Sequence, residues 1–224
     1  MPQEVIPMTF LSVNCYLVKT VDGGYVLVDT GISWKRRSIE KALAGAGCEP
    51  GNLRLVIITH GDVDHAGNCA YLRDKYGAKV ALHRSEADAV RSGDMMASRA
   101  TRPGKVASLL LRLFGLGTSD RFEPDIYLED GHDLSAYGFD AQVLHLPGHS
   151  RGSIGILSGD GDLFCGDLLT NTDRPVLNSL IDDPVAANAS LRRLQGLHIT
   201  RVYPGHGKPF PLELLDATVR TGPP

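Results

Sequence analysis

The stretch I-T-H-G-D-V-D-H-A-G at residues 58–67 decides how the rest of the chain is read. The apolar run at 55–58 reads as a buried strand that stops at Thr59, and a helix is expected to begin near Ala66. Between them His60, Asp62, Asp64 and His65 project from one turn. Imidazole nitrogens and carboxylate oxygens at this spacing can converge on one or two divalent ions. A surface turn has no structural need for two histidines and two aspartates in six residues.

Outward from that turn, the first third of the chain alternates strand and helix. Residues 15–18 and 25–28 read as a hairpin joined by Val21-Asp22-Gly23-Gly24. Helical spacing follows over about 36–46 and stops at Gly47. A second helix is expected from about Ala66 to Tyr76, ended by Gly77, with a short strand at 79–82 after it. This β-α-β rhythm breaks at about 85–123, the best candidate for a helical insertion in what otherwise reads as a single domain over 1–224. Its apolar segment at 106–116 could cover a substrate opening, form a homodimer contact or pack on the domain's own core. Strands resume at 140–146, 153–157 and 163–165, followed by a helix at 185–194 and a strand at 200–203. The halves echo each other: 55–61 and 201–207 both read as a strand leading into a histidine loop.

Bulk properties exclude several classes. At 224 residues the chain can bury a sizeable core, and 42% hydrophobic with 22% charged residues is ordinary for a globular protein. A net charge of −3, with no basic patch beyond Lys35-Arg36-Arg37 and Arg192-Arg193, favours neither nucleic acid nor membrane as a partner. Cys15, Cys48, Cys69 and Cys165 form no Cys-x-x-Cys pair, which suits a reducing compartment. No signal peptide is evident, so the expected location is cytoplasmic.

Three further loops offer ligands. Leu146-Pro147-Gly148-His149-Ser150 and Tyr203-Pro204-Gly205-His206-Gly207 repeat a Pro-Gly-His turn, and Cys165-Gly166-Asp167 places an aspartate at a strand end. Taken singly each is a turn residue; jointly with the 60–65 cluster they support a dinuclear site. His83, His132, His145 and His198 read as surface or hydrogen-bonded histidines rather than ligands.

With these motifs in order, the chain closely resembles the metallo-β-lactamase superfamily, and within it the glyoxalase-II-like hydrolases. VDTG at 28–31, THGDVDH at 59–65, LPGHS at 146–150, CGD at 165–167 and PGHG at 204–207 carry the resemblance. It implies an α/β fold, a four-layer αββα sandwich with the site at one edge of two sheets. It implies that His60 and His149 bind a first metal, that Asp64, His65 and His206 bind a second, and that Asp167 bridges both. Asp29 would orient ligands through hydrogen bonds without touching an ion.

Asp62 stands where the family usually has histidine. It could ligate directly or through a water, and its hard oxygen shifts preference from zinc toward iron or manganese. Two divalent ions are expected, zinc foremost with iron or manganese as alternatives, against the competing outcome that the first site is lost. The resemblance implies hydrolysis of a small ester, thioester or lactone by a hydroxide formed from metal-bound water, with Asp64 orienting the nucleophile. An iron-dependent oxygenase or redox protein of the same fold, a phosphodiester hydrolase, and a sensor without turnover are the alternatives. Glyoxalase II itself is disfavoured because only 18 residues follow His206. A β-lactamase is disfavoured by Asp62 and the missing secretion signal.

Overall fold

Alternating side chains along the strands divide between three separate cores, and this division builds the architecture. The computed structural model describes residues 3–94 and 120–215. In β4 (Leu53–Ile58), Val56 and Ile58 face one core while Leu55 and Ile57 face another. In β3 (Tyr25–Val28), Tyr25 and Leu27 join the first core, and Val26 and Val28 the second. A strand with both faces apolar must be covered on both sides.

One cover is helical. In α1 (Arg36–Gly45), Ile39 and Leu43 lie one turn apart on the buried face, and α3 (Cys69–Tyr76) adds Cys69, Leu72 and Tyr76. The other cover is a second set of strands. Val143 of β7 (Ala141–His145), Ile156 of β8 (Ile154–Ser158), Phe164 of β9 (Asp162–Asn171) and Tyr203 of β11 (Arg201–Gly207) complete the central core. Behind them, Leu144, Leu163 and Val202 pack on Leu191 and Leu194 of α5 (Pro184–Leu194), the third core. Three cores separate four layers, which is the αββα sandwich.

The strands run in the order β6-β5-β4-β3-β2-β11-β9-β8-β7, where β2 is Val13–Lys19, β5 is Lys79–His83 and β6 is Ile126–Leu128. β3 to β6 pair in parallel, as helical crossovers demand. The two halves of the sheet meet where Val13 of β2 pairs with His206 of β11.

The elements differ from expectation in instructive places. β1 (Val5–Phe10) contains Pro7, which argues against a strand in sequence but is tolerated here because β1 pairs with β2 at an edge. The helix expected at 66–76 is divided into α2 (Val63–Ala66) and α3. The break falls at Gly67-Asn68, where the Asn68 side-chain amide donates to the carbonyls of Thr30 (2.7 Å) and Ile32 (3.0 Å). β11 continues to Gly207 and β9 to Asn171, so His206 and Asp167 lie within strands rather than on loops. The stretch at 85–123 begins with α4 (Ala87–Ser92); its apolar segment at 106–116, with the roles expected of it, lies outside the described residues. Among the described residues no helix is long and apolar enough to cross a membrane.

Candidate metal centre

The turn after β4 carries its polar side chains into the interior: His60, Asp62 and His65 are buried. α2 sets Asp64 and His65 on adjacent positions of one short turn, and the backbone N–H of His65 and of Ala66 both bond back to the Asp62 carbonyl. His149 arrives on the loop between β7 and β8. Asp167 and His206 come from neighbouring strands β9 and β11, whose pairing shifts register on both sides of Pro204. Such an irregularity re-aims a side chain that a regular ladder would direct elsewhere. Gly205 is required there, because a Cβ would stand 2.2 Å from Asp167 Oδ1 and 2.7 Å from the His65 ring.

All seven side chains singled out from the sequence meet in one place. His60, Asp62 and His149 present ligand atoms within 4.8 Å of one another, as do Asp64, His65 and His206, and as do His60, His65 and Asp167. His149 Nε2 lies 3.2 Å from Asp62 Oδ2 and 3.9 Å from Asp167 Oδ2. His206 Nε2 lies 3.4 Å from Asp167 Oδ2 and 3.5 Å from Asp64 Oδ2, and His65 Nε2 lies 3.4 Å from Asp167 Oδ1.

Each imidazole is aimed by the bond made at its other nitrogen. His149 Nδ1–H donates to the Leu180 carbonyl (2.6 Å) and His206 Nδ1–H to the Ser12 carbonyl (2.8 Å). His65 Nδ1 bonds Asp29 Oδ2 at 2.8 Å. The Thr59 hydroxyl donates to Asp29, which leaves its oxygen to accept from His60 Nδ1 at 3.0 Å. Asp29 thus orients two histidines from a left-handed backbone (φ 60), a conformation uncommon for a non-glycine residue.

With Nδ1–H spent outward, each Nε2 turns a lone pair inward toward carboxylate oxygens. Lone pairs facing one another at 3–4 Å are stable only with positive charge between them. The Nε2 atoms of His60 and His65 and the Oδ1 of Asp167 are buried with no hydrogen-bond partner. These orphaned atoms fit divalent cations, and nitrogen with carboxylate oxygen is a donor set that zinc, iron and manganese all accept.

The electrostatics agree. Burial lowers the His65 pKa, yet Asp167, Asp29 and Asp64 outweigh it and raise it well above the usual histidine value. His206 is also raised, Asp167 overcoming burial. His149 is lowered by burial and by neighbouring His60. Asp167 is buried, which opposes its charge, but four histidines hold its carboxyl far below the ordinary range.

Glu86 was not singled out from the sequence. It sits just before α4, fully buried, and its carboxylate accepts from Gly61 N–H (2.9 Å), Ser150 Oγ (2.7 Å) and Gly152 N–H (2.9 Å). It therefore ties the loop carrying His60 and Asp62 to the loop carrying His149. Gly61 is matched to it, since a Cβ there would lie 2.9 Å from Glu86 Oε2. In sequence Glu86 is one polar residue in S-E-A-D-A, with nothing to mark it as buried. Ser150, committed to Glu86 and Ser153, is not a free nucleophile. Burial pushes the Cys165 thiol up to about 12, so it is no nucleophile either.

A two-layered sheet core between helices, with paired histidine-carboxylate clusters at its edge, defines the class: an αββα sandwich with a candidate two-ion site. The model of the metallo-beta-lactamase superfamily matches residues 8–206, and the chain belongs to that superfamily as a metal-dependent hydrolase. It is 29% identical over 170 residues to the hydroxyacylglutathione hydrolase GloC of Haemophilus influenzae, covering 74% of this chain and 71% of that protein. It is 31% identical over 231 aligned positions to the acyl-coenzyme A thioesterase MBLAC2 of Bos taurus, covering 90% and 75%. Among solved structures, TTHA1623 in a di-iron-bound form superposes with a TM-score of 0.72 at 31% identity, covering 98% of both chains.

Proposed function

We propose that this protein hydrolyses thioesters at a two-metal site. His60, Asp62 and His149 would hold one ion, Asp64, His65 and His206 the other, and Asp167 would stand between them. The observation that carries the reading is the convergence of seven donors around buried, unpartnered Nε2 and Oδ1 atoms. Similarity to a hydroxyacylglutathione hydrolase and to an acyl-coenzyme A thioesterase supports a thioester over a plain ester or lactone. Similarity to a hydroxyacylglutathione hydrolase puts glutathione thioesters among the substrates to be tested.

Paired divalent ions, when bound, lower the pKa of water toward neutrality and polarise a carbonyl oxygen. The chain's own residues do the rest. Asp64 has a side chain 34% exposed, whereas those of Asp62 and Asp167 are 7% and 5% exposed. It is the carboxylate placed to orient an entering water and to carry its proton outward. Water adds to the carbonyl carbon, the C–S bond breaks, and the departing thiolate takes that proton. The buried carboxylates balance positive charge where solvent cannot.

Asp62 supplies a hard oxygen, and TTHA1623 has been seen with two irons, so iron stands beside zinc as the ion. The same two points favour a second reading, iron-dependent oxygen chemistry. Protein purified without oxygen and loaded with zinc, manganese or iron, then offered S-lactoylglutathione and acyl thioesters, separates the two. Thiol release at two ions per chain is expected; oxygen uptake without thiol release would replace hydrolysis by oxidation. Four buried free thiols suit a reducing, cytoplasmic setting.

A further inference from the structure

Two apolar side chains stand exposed beside the site with no folding reason to be there. Leu11 is 66% exposed and Trp34 is 65% exposed. Together with Phe10, Ile32, Val63 and Asp64 they line a cleft of about 290 Å³. A larger cavity of about 620 Å³ lies under β1 and α1, but none of the metal-centre residues lines it.

Leu11 is the more informative of the pair. Phe10 and Val13 are paired, so Leu11 and Ser12 form a two-residue turn between β1 and β2. Leu11 has φ 63, a position that glycine, asparagine or aspartate ordinarily fills in such turns. A branched apolar residue there strains the backbone and exposes hydrocarbon. Such local conflicts are expected where function rather than folding selects the residue. The next residue, Ser12, supplies the carbonyl that aims His206, so the turn is fixed to the metal centre.

We infer that this cleft binds the acyl chain of the thioester, an inference that rests on the thioesterase reading and names the part of the substrate recognised there. The leaving side of such substrates carries carboxylates or phosphates, which call for cationic partners. Among the described residues no lysine, arginine or histidine lines the cleft. Hydrocarbon is the chemistry that fits, and Asp64 places its carbonyl end at the donors.

A series of N-acetylcysteamine thioesters, acetyl to octanoyl, tests this on the metal-loaded protein. Full burial would raise kcat/KM about four-fold per methylene, and a half-open cleft predicts roughly ten- to a hundred-fold from acetyl to hexanoyl. Leu11→Gly suits the turn better than leucine, so it folds, and it should collapse the hexanoyl-to-acetyl ratio, as should Trp34→Ala. Trp34 is the only tryptophan in the chain, so its fluorescence reads the cleft without turnover. S-hexyl-N-acetylcysteamine should shift its emission to the blue at concentrations where the S-ethyl analogue does not. Equal binding of the two thioethers, or turnover indifferent to chain length, overturns the inference and leaves thioester hydrolysis standing. No turnover of any thioester, with a chain-dependent blue shift, ends the thioesterase reading and keeps an apolar ligand in the cleft.

Discussion

The two halves of the metal centre are built from similar donors but differ in surroundings. His60, Asp62 and His149 are all buried, and their loops are joined from behind by the Glu86 carboxylate. Of the other half, His65 is buried but Asp64 and His206 are partly open, and Asp64 also lines the apolar cleft beside Leu11 and Trp34. The enclosed half is suited to fixing charge and geometry, the open half to admitting substrate and exchanging protons.

Breaking the open half should have the largest effect. Asp64→Ala and His206→Ala are each expected to lower kcat/KM by about a thousand-fold or more while the protein stays folded. Metal analysis should show the loss of one ion per chain; a variant keeping full activity would reverse the assigned roles. Next comes the enclosed half, attacked from behind. Glu86→Ala leaves the buried N–H groups of Gly61 and Gly152 without an acceptor and should cost about 3 kcal/mol in denaturant unfolding. It should also weaken binding of the first ion by about ten- to a hundred-fold, as read by competition with a chelator. An unchanged ion affinity would mean that Glu86 serves folding alone.

Asp62→His exchanges the hard oxygen for nitrogen and sharpens the contrast from the other side. Zinc affinity of the enclosed half should rise by about ten-fold, with iron favoured less. Titration showing no change would remove Asp62 from the ligand set. The smallest effect belongs to a helix cap behind the His149 loop, whose Gly148 carbonyl accepts from the Asp183 backbone N–H. Asp183 caps α5, its carboxylate accepting from the backbone N–H of Val185 and Ala186 at 3.0 Å. Asp183→Ala should cost about 1 kcal/mol of stability and leave ion content untouched.

The donors themselves were legible because metal chemistry demands particular residue types, and Pro-Gly-His or His-x-Asp-x-Asp-His sits in plain view. The parallel rhythm around β3 to β5 was legible for a similar reason: doubly covered strands are written in continuous apolar runs. What supports the donors was hidden. Glu86, Asn68 and Asn14 act through contacts to residues distant in sequence, and a lone polar residue looks the same whether it faces water or the interior. The reach of β9 and β11 into the site was concealed by the irregular register that makes them useful.

That register matters beyond ligand placement. The seam between the two sheet halves holds the Val13–His206 pair, reinforced by Asn14 donating to the carbonyls of Pro204 and Gly207 and by Tyr16 donating to Pro204. The chemical end of the molecule is therefore also its zip. A cation gripped by residues from both halves would latch that zip shut, so a chelator should behave as a mild denaturant, with the β2–β11 boundary the first amides to open to solvent exchange.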